Sequence, residues 1–100
     1  MDPDTDDIII SDVVMSLAGR DRGCLYFVIG KDADCRLLAN GKNRTLESPK
    51  RKKLRHMKKI LHPETRVAAK LLAGDKVLNS ELRKDLAFIS REMQSNALGG

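Results

Sequence analysis

Lys50, Arg51, Lys52, Lys53, Arg55, Lys58 and Lys59 put seven cations into ten residues, with His56 among them and no acid. Such density suits the holding of an anion by charge; the plainer alternative is a solvated basic face that only keeps the chain soluble. No nucleophile has an adjacent base that the sequence can identify, and a chain of 100 residues buries too modest a core for a large pocket, so the protein is not expected to be an enzyme or to take a small-molecule substrate. Cys24, Cys35, His56 and His62 lack the close pairs from which a structural zinc site is built, so no metal or other cofactor is expected. Two cysteines are also too few for a disulfide framework, and both read as buried thiols of a reducing, cytoplasmic protein.

The net charge of +5 hides a segregation. Residues 1–18 carry five Asp and no base, residues 19–59 carry thirteen Lys and Arg against four acids, and residues 60–100 are nearly balanced. An electrostatic partner responds to such local fields rather than to the total, so the middle block marks the expected contact. No apolar run, Ile8–Ile10 included, comes near the ~20 residues that span a bilayer, and the acidic start is the opposite of a basic signal peptide. No membrane partner is expected.

The elements that would position these cations can be read from composition and turns. Residues 1–7 lack apolar periodicity after Met1 and read as a disordered acidic leader. Val13–Leu17 and Cys24–Ile29 are strand-like and joined by a loop bounded by Gly19 and Gly23. Cys35–Ala39 reads as a third strand, Asn40-Gly41 as a tight hairpin turn, and Asn43–Glu47 as a fourth strand that Pro49 ends. Leu54, flanked by cations, reads as the inward residue of a short fifth strand that leaves the basic side chains outside. Turn signals about every ten residues suit a small barrel. Alternation along the first strand leaves open which of its faces points inward.

Past Pro63 the period becomes helical. Glu64–Ala73 is expected to form a short helix stopped by Gly74, and Asn79 or Ser80 to cap a second in which Leu82, Leu86, Ile89 and Met93 make an apolar stripe. The resulting plan is a leader over 1–7, a barrel with its basic closing segment over 8–59, and a helical extension over 60–97. Among the few aromatics, Phe27 and Phe88 are expected in the core, and Tyr26 in barrel packing rather than as a stacking platform.

The stretch from Asp12 through Gly23, with Gly19 and Gly23 bracketing a charged loop, followed by Tyr26-Phe27-Val28-Ile29, resembles the KOW motif of ribosomal proteins and transcription elongation factors. The resemblance continues through Asn40-Gly41-Lys42 and Pro49–His56, which look like the later half of a bacterial KOW-domain family related to an archaeal and eukaryotic large-subunit ribosomal protein. Where KOW strands usually open with Gly, this chain has Ser11. The resemblance implies a mostly β protein with C-terminal helices: a small SH3-like (KOW) barrel of about five strands plus one or two α-helices, binding ribosomal or other structured RNA, ribosome-associated and monomeric.

Physical chemistry is compatible with that role. Arg20 and Arg22 can reach phosphate bidentately from the loop, and Gly23 admits a positive φ and close backbone approach. Asp21 between them would repel the same phosphate unless it turns inward. Lys42 and Arg44 flank the Asn-Gly turn, and Lys50, Arg51, Lys52, Lys53, Arg55, Lys58 and Lys59 extend the track. The competing expectation is a protein-interaction module that docks on ribosomal proteins or RNA polymerase through the Leu82, Leu86, Ile89 stripe.

Overall fold

Two apolar, β-branched runs set the first pairing: β1 (Val13–Ser16) lies antiparallel to β2 (Leu25–Asp32), with Val13 opposite Phe27 and Val14 opposite Tyr26. A tight turn through Ala33, at φ +54°, leads into β3 (Cys35–Ala39). The chain is here described from a computed structural model, which covers residues 8–99, with side chains as far as residue 95; the acidic leader expected over residues 1–7 lies outside the described residues.

The next strand, β4 (Lys50–Lys53), pairs with β3, and β5 (Met57–Leu61) pairs back onto β1, giving the order β4-β3-β2-β1-β5. A single 3-10 turn, Leu54–His56, joins the two edge strands. Across a flat sheet those edges would stand about 19 Å apart at the usual strand spacing, whereas one 3-10 turn rises only about 6 Å. The sheet must therefore curl, and the result is a small SH3-like barrel with two helices following it.

Both faces of this sheet are buried. Val14, Tyr26, Val28, Leu38 and Met57 meet Ile8 inside the barrel. On the opposite face Val13, Phe27 and Ala39 pack against Val67 of α1 (Arg66–Ala73) and Leu82, Leu86 and Ile89 of α2 (Asn79–Gly99). The question left open by the alternation of β1 is answered by both sides, one turned into the barrel and one under the helices. The helical stripe is thus core. Phe88 is not: it points away from the sheet and is 55% exposed, because its position on the helix lies off the line through Leu82, Leu86 and Ile89.

Helix α1 starts where Thr65 accepts a hydrogen bond from the Ala68 N–H at 3.2 Å and stops at Gly74, at φ +74°, as Thr and Gly dictate at those positions. At the start of α2 the carbonyl of Leu78 takes the first helical bonds, and the Leu78 N–H donates to Glu81 at 3.0 Å. Neither Asn79 nor Ser80 is the cap. The Asn79 amide turns outward instead, accepting from the Leu46 N–H at 2.9 Å and donating to the Glu47 carboxylate at 3.0 Å.

That contact overturns the strand expected over Asn43–Glu47. Residues 41–44 form a bend closed on itself: the N–H groups of Asn40 and Gly41 both donate to the Arg44 carbonyl, and the Asn40 side-chain oxygen accepts from the N–H groups of Lys42 and Arg44. With the Arg44 and Leu46 N–H groups taken by Asn40 and Asn79, the segment makes only an isolated bridge, Thr45 with Ser48, and no ladder. The fourth strand is the basic segment itself, and Leu54 falls in the 3-10 turn rather than on a fifth strand. Among the described residues no helix is long and apolar enough to cross a membrane.

Candidate nucleic-acid interface

The loop from β1 to β2 is pinned at its base by hydrogen bonds from Gly23 N–H to Ser16 O at 2.8 Å and from Ser16 N–H to Cys24 O at 3.0 Å. Gly19 and Gly23 take φ of +87° and +89°, where a side chain is strained. Around Gly23 a β-carbon would meet nothing within 4 Å, so only its backbone conformation requires glycine.

Within the loop Arg20 and Arg22 are exposed while Asp21 turns inward. Its carboxylate accepts from the Ser16 hydroxyl at 2.8 Å and the Tyr26 phenol at 3.0 Å, and meets the ammonium groups of Lys50 at 2.9 Å and Lys52 at 3.3 Å. Burial alone would raise the affinity of Asp21 for a proton, but the donors from Lys50, Ser16, Tyr26 and Lys52 together outweigh it and hold the carboxyl well below the usual carboxylate range. Burial, and then the bond to Asp21, push the Tyr26 phenol above its ordinary value. The charge of the one acid of the loop is thereby met from within, and Arg20 and Arg22 on either side of it are exposed.

The basic run is not uniform. On β4 alternate side chains take opposite faces, so Lys50 and Lys52 share the inner side with Leu38 and Arg36, their register partners. Lys52 is buried, its ammonium also donating to the Ala18 carbonyl at 3.0 Å; the expectation that the whole run lies outside is corrected there. Lys52 is inward because Asp21 supplies a carboxylate at the barrel mouth, which satisfies a cation in a place where an apolar residue would ordinarily sit. Lys59 reaches the fully buried carboxylate of Asp12 at 3.4 Å, where His62 Nδ1 also lies at 2.5 Å. Arg51 pairs with Asp32 at 2.6 Å in the open, and Lys53, Arg55 and Lys58 are exposed.

Two open grooves gather most of the remaining predicted residues. One, of about 350 Å³, is lined by Arg20, Arg44 and Lys50 together with Tyr26 and Asn43, with Asp21 present but already met by its lysines. The other, of about 440 Å³, lies between the barrel and α2 and is lined by Gly23, Leu25, Lys42, Arg83, Leu86 and Ala87, among others. Cys24 lines both, and it is exposed rather than buried; Cys35 is the buried thiol. No groove was expected of so small a barrel, and the second exists only because the helix packs beside it.

Arg83 is exposed on α2. Its guanidinium donates to the Gly41 carbonyl at 2.6 Å, a contact across forty-two positions of chain that helical periodicity cannot reveal. The apolar stripe offered as a docking face is buried against the sheet and carries no docking. Compared with models of protein families and with curated proteins, the chain matches none.

Proposed function

We propose that the chain is a KOW-type RNA-binding protein that holds the phosphate backbone of ribosomal or other structured RNA in a cytoplasmic, translation-associated setting, without catalysis or cofactor. The observation that carries this reading is the groove in which Arg20, Arg44 and Lys50, from three separate segments, face one open space. Arg22 is exposed on the same loop, and Lys42 lines the adjoining groove. Guanidinium pairs suit phosphate geometry, and the loop that carries two of them is braced from behind by Asp21. Lys52 and Lys59 contribute by holding the barrel together rather than by touching RNA.

The test is a fluorescence-anisotropy titration of a labelled ribosomal RNA hairpin over a series of salt concentrations. Log affinity is expected to fall with log salt by about 0.9 for each duplex phosphate contacted. The double substitution Arg20→Ala with Arg22→Ala is expected to weaken binding uniformly across RNA sequences and to flatten the slope by about 1 to 2. Unchanged affinity and slope in that variant would overturn the assignment, and equal competition by matched DNA would remove the preference for RNA.

A further inference from the structure

From the groove beside α2 we infer that the protein seats one unpaired nucleotide of the bound RNA, so that it prefers a helix carrying a bulge to one that is fully paired. The inference rests on the RNA-binding reading above and adds a recognition element to it. Leu25 and Leu86 give this groove an apolar floor, Ala87 leaves its helical side open, and Lys42 and Arg83 stand at it as cations. Apolar walls with a few cations match the flat face of a base and the phosphates on either side of it, whereas the neighbouring groove is lined by three cations and by no aliphatic side chain.

Continuity selects the occupant. Cys24 lines both grooves, so a strand whose phosphates lie against Arg20, Arg44 and Lys50 passes directly by the mouth of the second. At about 440 Å³ that space falls in the range of small-ligand sites, and only a base splayed out of its helix has a face free to enter it. Arg83 is fixed by its bond to the Gly41 carbonyl, which sets its guanidinium in place before RNA arrives. With no aromatic side chain at this groove, the base is held by aliphatic contact, and the preference concerns pairing state rather than base identity.

The experiment uses the full chain and two RNA hairpins that differ only by one bulged 2-aminopurine. The ratio of the two dissociation constants reports the groove, and the fluorescence of the probe reports entry of the base. The bulged hairpin is expected to bind about tenfold tighter, the worth of roughly 55 Å² of apolar surface taken from water. Ala87→Trp, at an exposed helical position, fills the groove and is expected to bring the ratio close to one; Ala87→Leu, a smaller change with good helix propensity, is expected to reduce it partway. Equal binding of both hairpins by the unaltered protein, or an undiminished ratio in both variants, overturns the inference and leaves the phosphate groove standing. If neither hairpin binds, the RNA reading fails and this one with it.

Discussion

Asp21 and Tyr26 meet at 3.0 Å, phenol to carboxylate, at the point where the glycine-bracketed loop closes over the barrel. The same carboxylate takes Lys50 and Lys52, so one inward acid couples the outward posture of two arginines to the placement of β4. Replacing Asp21 by Asn removes the charge and leaves the Lys52 ammonium buried without an anion. The expected cost is about 2 kcal/mol in urea unfolding, less than for a fully interior pair because Lys50 can turn to water. A loss below about 0.5 kcal/mol would show that the cluster holds nothing together.

The pH dependence follows from the same contact. Asp21 is held below the ordinary carboxylate range, so its contribution is complete above about pH 5 and is lost as pH falls through about 4 and lower. Tyr26 is raised, so its contribution is complete below about pH 10 and is lost as pH rises beyond that. The urea midpoint is expected to fall on both sides of a plateau, and Asp21→Asn to flatten both limbs. The chain has one Tyr and no Trp, so ultraviolet absorbance follows the phenol directly; ionisation of the folded protein at the free-tyrosine pH would refute the account.

Ser11 occupies the position where the resemblance calls for Gly. Its φ is +83°, it is fully buried, and its hydroxyl has no hydrogen-bond partner among the described residues. A left-handed conformation costs a non-glycine residue about 1 kcal/mol, and a buried unpaired hydroxyl about as much again. Ser11→Gly relieves both at the cost of unfolded-state entropy, for an expected gain of about 1 kcal/mol. A lower thermal midpoint in this variant would mean that the hydroxyl or its β-carbon is needed where it stands.

Gly41 gives the opposite result. At φ +78°, a β-carbon there would lie 2.1 Å from the Asn79 carbonyl oxygen, which is backbone and cannot swing aside. Gly41→Ala is expected to destabilise by about 3 kcal/mol or more, through strain and displacement of the start of α2. Gly23→Ala, where space is open, is expected to cost only the conformational part, about 1 to 2 kcal/mol. Equal costs for the two substitutions would dismiss the close approach of helix and loop.

Cys35–Ala39 was legible in the sequence to the residue, and β1, β2 and α1 nearly so, because apolar runs there end on Gly, Asp or Thr with local turn chemistry. Asn43–Glu47 is not the strand it resembles: Thr and Leu between polar residues look like one, yet the Arg44 N–H is claimed by the Asn40 side-chain oxygen and the Leu46 N–H by Asn79, thirty-three residues away. β4 gave no apolar signal at all, since its inward residues are lysines satisfied by an acid from another loop. The arginine loop could be named from its glycines. Arg83 and the groove beside α2 could not, because they arise from how the helix lies on the sheet.

The burial of the sheet on both faces also bears on how the chain comes to be folded. Val13 lies on β1, yet its cover includes Ile89 of α2, so the outer side of β1 stays wet until α2 has been synthesised. That outer layer of the core cannot mature in order of translation, and β1 must wait for α2 to cover it.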